Sequence, residues 1–253
     1  ESLELNPPIF AHLPMILGPD KKRLSKRHGA PGVQSFADQG YFPDSILNYL
    51  ALLGWNPKSE KEVMLTDELI NGFSFQQVQK KGAVWDDKKL HWLSGQHVQN
   101  KTSQLLLEEI RLLESDWGKN ADISQLINII DALKPRAKSL QEFILKSKFF
   151  FISPESFDES EMLKAWPNEL TTEIVGEIEK VLVSVESWYP EILEKQLKSF
   201  ATKNSYGVGK VIMPLRLAVF GSLDGPSVFD IMSILGKSET LNRIHSAISR
   251  MSK

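Results

Sequence analysis

The sequence contains no cysteine in 253 residues. That excludes a disulfide framework and any metal site built on thiolates, and it fits a reducing compartment, so the cytoplasm is the expected location. Long apolar runs are missing too. Nothing approaches the roughly 18 residues needed to cross a bilayer, and no membrane segment is expected. Nor is one sign of charge in excess: 30 basic residues face 32 acidic ones, a formal charge of -2. A polyanion must therefore be held by local patches and not by the overall field. Strand-like alternation is nearly absent after Leu17, and no fixed period of the kind that builds solenoids recurs. The five histidines show no short metal-ligand spacing, so a metal held by the protein itself is not expected.

With 42% hydrophobic residues and six tryptophans, the chain can bury real cores, and its length suits two domains. The periodicity is helical. Within "PDSILNYLALLGW", Ile46, Leu47, Leu50 and Leu53 fall on one face, with Pro43 and Asp44 suited to a first turn and Gly54 to a C-terminal cap. From Asn56 to Gly95 the pattern shortens into small helices broken by Gly72, Gly82 and Gly95. Longer amphipathic stripes follow: Leu105, Leu106, Ile110 and Leu113, then Ile123, Leu126, Ile127, Ile130 and Leu133, then Ile174, Ile178, Val181, Leu182, Val185 and Trp188. Between the last two, the polar residues 153–169 present themselves as a linker. "SVFDIMSILG" and "LNRIHSAI" supply two terminal helices. "GVGK", Gly207 to Lys210, is not a nucleotide loop, because Asn204 and Val211 stand where that motif needs glycine and a hydroxyl; it reads as a turn opening the helix "VIMPLRLAVFG".

The most unusual stretch is "KKRLSKRHG", Lys21 to Gly29, which follows a short strand, Met15 to Leu17, and a turn at Gly18-Pro19-Asp20. A solvated loop, an import-type basic run and a phosphate site each account for its charge.

The order of residues in that run carries a resemblance. "RLSKR", Arg23 to Arg27, resembles the lysine-methionine-serine-lysine-serine signature of class I aminoacyl-tRNA synthetases, and its surroundings, "FAHLPMILGPDKKRLSKRHGA", resemble the bacterial-type glutamyl-tRNA synthetases. So do "GYFPDSILNYLALLGW", "AVWDDKKLHWLSG", "LKPRAKSLQEF", "PLRLAVFG" and "MSILGKSETLNRI", which together run the length of the chain. The family's upstream histidine-rich signature does not occur in these residues. The resemblance thus implies a C-terminal portion lacking the N-terminal catalytic half, unable on its own to activate glutamate.

What the resemblance implies is specific. The fold should be mainly α: residues 1–32 are the end of the catalytic domain, a short strand and loop; 33–95 a helical stem-contact domain; 96–165 and 166–253 the two subdomains of an all-helical anticodon-binding domain. The whole enzyme ligates glutamate to tRNA(Glu) through a glutamyl-adenylate, using ATP and Mg2+, with no cofactor expected on this portion alone and a monomer expected. Negative charge grows on the phosphate oxygens in that reaction, and cations closing over it lower the barrier selectively. By resemblance, Lys26 is the main cation and Ser25 its hydrogen-bonding neighbour, the two catalytic positions, and Arg23, Leu24, Lys26 and Arg27 form the ATP loop. Arg23 replaces the family's usual lysine, keeping charge but changing a point into a planar fork. For tRNA, Lys89 and Trp92 would face the stem, while Arg136, Arg216, Gly225 and Val228 would contact the anticodon. An arginine has only donors to offer. Cytosine presents acceptors at N3 and O2 and guanine presents donors at N1 and N2, so Arg136 suits an anticodon ending in C, as in tRNA(Glu), over one ending in G, as in tRNA(Gln). A reading from another class stays open at this point: a non-catalytic RNA-binding or helical interaction module that inherited the fold.

Overall fold

The computed structural model describes residues 10–25, 32–57 and 60–251. Lys26 and Arg27 lie outside the described residues. Among those described, the chain is mainly helical, as its periodicity predicts, with a single two-stranded sheet. None of the described helices is long and apolar enough to cross a membrane. The chain forms two compact units, one of residues up to Thr102 plus Arg136–Gln141, the other of Ser103–Pro135 and Glu142–Lys253.

The first unit is built on β1 (Ile16–Leu17), α1 (Val33–Asp38), α2 (Pro43–Gly54), α3 (Thr66–Gly72), β2 (Ala83–Val84) and α4 (Asp87–Gln99). Its core joins Phe36, Tyr41, Ile46, Tyr49, Leu53, Leu90 and Leu93, with Trp85 packed against them. The buried face of α2 is thus Ile46, Tyr49 and Leu53, whereas Leu47 and Leu50 are exposed. The sequence pattern misplaces that face because it scores Tyr49 as half-polar. The hydroxyl is satisfied inside, donating to the Asp86 carbonyl at 3.0 Å and accepting from the Asp86 N–H at 2.8 Å, so the ring can be buried whole. Gly54 ends α2 from within, and Trp55 takes the C-cap position.

Gly95 does not break a helix. It lies inside α4, which runs through it to Gln99 and is capped by Asp86, whose carboxylate accepts from Lys88 N–H at 2.9 Å and Lys89 N–H at 3.2 Å. A buried polar network ties α2 and α4 to the loop before α3. Asn48 donates to the Glu62 carbonyl at 3.0 Å, and its Oδ1 accepts from Met64 N–H at 2.9 Å and from His97 Nε2 at 3.0 Å. Because Oδ1 faces the Met64 N–H, His97 must carry its proton on Nε2.

The second unit comprises α5 (Ser103–Leu113), α6 (Ile123–Leu133), α7 (Leu140–Phe151, whose first two residues belong to the first unit), α8 (Glu159–Ala165), α9 (Glu169–Val183), α10 (Pro190–Lys203), α11 (Val208–Phe220) and α12 (Val228–Met251). α5 packs on α6, and α11 and α9 pack on α12. α8 sits inside the stretch that reads as a linker. The two expected terminal helices are present and adjoin at Gly236, whose φ of 78° and ψ of 168° no other residue type adopts comfortably. α11 starts after Gly207. The core holds Leu106, Ile110, Leu126, Ile130, Ile178, Leu182, Leu215 and Ile231, all fully buried.

Candidate functional site

The basic stretch is rooted by backbone pairing. β1 lies parallel to β2 with Ile16 opposite Ala83 and Leu17 opposite Val84, and Trp85 N–H donates to the Leu17 carbonyl at 2.8 Å. The chain then turns tightly: Gly18 N–H donates to Lys22 O at 2.8 Å, and Lys22 N–H to the Asp20 carboxylate at 3.0 Å. Leu24 N–H returns to the Ile16 carbonyl at 2.9 Å. The Leu24 side chain lines a groove with Met15, Phe36 and Trp85, which anchors the turn, while Lys21, Lys22 and Arg23 stay exposed. Ser25 is half-buried. This arrangement sets exposed cations on a turn pinned at both ends. Among the described residues, no group of three or more His, Asp or Glu is arranged to hold a metal ion.

Lys89 and Trp92 lie three positions apart on α4 and so share a face. Trp92 is 44% exposed and is not core. Lys89 pairs its ammonium with Glu62 across the chain, an ion pair that a phosphate would have to displace. Arg136 is exposed, in the turn after α6, on the segment that belongs to the first unit.

The remaining candidates belong to the second unit. Arg216 is half-buried on α11, and Phe220 follows it by four residues on the same side. Gly225 sits against that ring: a Cβ there would stand 2.5 Å from Phe220 Cε1. Val228, the first residue of α12, is 1% exposed, so what it offers a partner is backbone.

One arginine escapes the sequence reading. Arg243 is 3% exposed, yet its Nε donates to Glu239 Oε1 at 2.7 Å and its Nη1 to the carbonyls of Phe149 at 2.5 Å and Val219 at 3.0 Å. Burial pushes the Glu239 carboxyl up, but hydrogen bonds from Arg243 and Ser153 outweigh that and leave its pKa below the ordinary value. The signal was available: Thr240, Arg243, Ile244 and Ala247, spaced as one helical face, are all buried.

Residues 98–248 match the family described as "Anticodon binding domain", and residues 1–92 match "tRNA synthetases class I (E and Q), catalytic domain". The two matches, catalytic before anticodon-binding on one chain, place it among the class I aminoacyl-tRNA synthetases. Similarity to individual proteins narrows this. The chain is 36% identical over 258 residues to a glutamate–tRNA ligase of Chlorobaculum parvum, covering 97% of this chain and 51% of that protein. It is 36% identical over 260 residues to one of Flavobacterium johnsoniae, covering 96% and 52%. The crystal structure of a glutamate–tRNA ligase from Elizabethkingia meningosepticum in complex with its amino acid superposes with a TM-score of 0.85 at 33% identity, covering 97% of this chain and 52% of that one. The chain belongs to the glutamyl-tRNA synthetase family and corresponds to a C-terminal portion, spanning about half the length of the relatives it matches.

Proposed function

We propose that this chain is the tRNA-holding portion of an enzyme that ligates glutamate to tRNA(Glu). The observation that carries the reading is the anticodon-binding match over residues 98–248, which falls on continuous, well-packed helices. Residues 33–95 contact the stem, with Lys89 and Trp92 on the exposed side of α4, and 96–165 and 166–253 act as the two anticodon-binding subdomains. Arg136 reads the third anticodon base, and Arg216 with the backbone at Gly225 and Val228 holds its neighbours.

Residues 1–32 contribute to activation. ATP, when bound with Mg2+, supplies the leaving pyrophosphate, and the metal travels with its phosphates. Lys26 and Arg27 neutralise the charge that grows there, Arg23 adds a forked cation, Ser25 steadies the loop by hydrogen bonding, and Leu24 holds it down. The chain alone does not activate glutamate, works as a monomer, and resides in the cytoplasm.

A titration with tRNA(Glu) and tRNA(Gln) across a salt series tests this. Phosphate contacts weaken steeply with salt for both, whereas base contacts do not, so a preference for tRNA(Glu) should persist as total affinity falls. Equal binding of the two at every salt concentration would refute the anticodon reading.

A further inference from the structure

The backbone that carries Arg136 groups with the first unit. Chain up to Pro135 and from Glu142 groups with the second unit, and only Arg136–Gln141 groups with the first. Hydrogen bonds hold the segment there. Ser94 on α4, fully buried, donates its hydroxyl to the Lys138 carbonyl at 2.5 Å. The Leu140 N–H donates to the Gly40 carbonyl at 2.9 Å. Ala137, Ser139 and Leu140 are all buried, so the segment is embedded, while Arg136 at its head is exposed.

Two glycines make room for it. A Cβ at Gly40 would stand 2.7 Å from Leu140 Cβ and 3.0 Å from the Gln141 nitrogen, and the φ of +71° at Gly40 is itself unfavourable for other residues. A Cβ at Gly95 would stand 2.6 Å from Lys138 Cδ and 2.8 Å from its Nζ. Glycine weakens a helix interior relative to alanine. Its place in the middle of α4 leaves room for the Lys138 side chain as it lies here.

We infer that Ser94, Gly95 and Gly40 are positioning residues for base recognition: they clamp Arg136–Gln141 onto the first unit and so fix the point from which the Arg136 guanidinium reads the third anticodon base. The inference rests on the role proposed for Arg136. A long side chain discriminates between bases only when its root is held, because donors must meet acceptors within a fraction of an ångström. Here the root is held by protein contacts, the Ser94 hydroxyl on the Lys138 carbonyl and the Leu140 N–H on the Gly40 carbonyl.

The test compares binding of tRNA(Glu) with that of the same tRNA carrying G as third anticodon base, at one salt concentration. The unaltered chain is set beside Ser94→Ala, Gly95→Val, Arg136→Ala and the double variants. A bidentate contact is worth a factor of about ten or more between right and wrong bases. Ser94→Ala and Gly95→Val should each reduce the C-over-G preference by about tenfold, and neither should reduce it further once Arg136 is alanine. That lack of additivity separates positioning from general loosening. Melting followed by circular dichroism checks that each variant is folded, and Gly95→Ala, a smaller intrusion on the Lys138 side chain, replaces Gly95→Val if that one is not. If Arg136→Ala abolishes the preference while the Ser94 and Gly95 variants retain it, the positioning role is overturned and the base-reading role stands. If the unaltered chain shows no preference, or Arg136→Ala retains it, both fall together.

Discussion

Replacing Arg243 with methionine should destabilise the second unit by about 3–5 kcal/mol, the usual loss when one partner of a buried charged network is removed. Methionine fills much of the space of the arginine stem but donates nothing. The Phe149 and Val219 carbonyls then lose their charged donor, at 2.5 and 3.0 Å in the structure. Each stranded acceptor costs about 1–3 kcal/mol. Glu239 also loses its partner, but its side chain is 39% exposed, so water replaces the guanidinium and this part is small. Relief from burying a guanidinium offsets some of the total and keeps it within the stated range. Calorimetry is a suitable assay, since each 1 kcal/mol corresponds to about 2–4 °C in a domain of this size, and the transition should fall by roughly 6–20 °C. Arg243→Lys keeps a cation but cannot span three acceptors with a single ammonium, and its melting point should lie between those of the methionine variant and the parent. A methionine variant within about 1 kcal/mol of the parent would show that the carbonyls find other partners and that Arg243 does not tie α12 to the ends of α7 and α11.

Two further outcomes concern the first unit. Tyr49→Phe removes both hydrogen bonds to the Asp86 backbone at the start of α4 and should cost about 1–3 kcal/mol in urea unfolding; a loss too small to measure would mean that water takes the hydroxyl's place. His97 has its pKa lowered, chiefly by burial, with the Asp44 carboxylate opposing and Lys101 reinforcing the shift. Its folded pKa lies below the unfolded value of 6.5, so the unfolded chain binds the proton first. Its contribution is therefore complete above that value and drains away as pH falls from it toward the folded pKa. Unfolding free energies measured on either side of that window should show the loss, and His97→Gln should flatten it; an identical slope in the variant would assign the pH dependence to other groups.

The helices were legible because their apolar periodicity is strong, whereas the candidate site rests on short motifs, two of whose residues, Lys26 and Arg27, lie outside the described residues. What was not legible depends on partners distant in sequence. β2 is two residues long and exists because Ile16 and Leu17 pair with it. Tyr49 could be buried only because Asp86, far along the chain, offers both a donor and an acceptor. Gly95 looks like a helix break from its own neighbourhood and becomes intelligible only when Lys138 is seen above it. Arg243 was hidden for the opposite reason: a charged residue on a helix reads as solvated, and three acceptors from separate segments make it part of the interior.

The interleaving of the two units along the chain also bears on how the protein is made. Residues 136–141 complete the first unit, but they leave the ribosome only after α5 and α6 of the second have been synthesised. Until then the Ser94 hydroxyl and the Gly40 carbonyl lack the strap they will bind. Folding in strict order from the N-terminus is therefore closed to this chain. Its first unit must wait, nearly finished, while part of the second emerges, and a nascent chain cut or stalled near Thr102 would hold most of that unit without the piece that seals it.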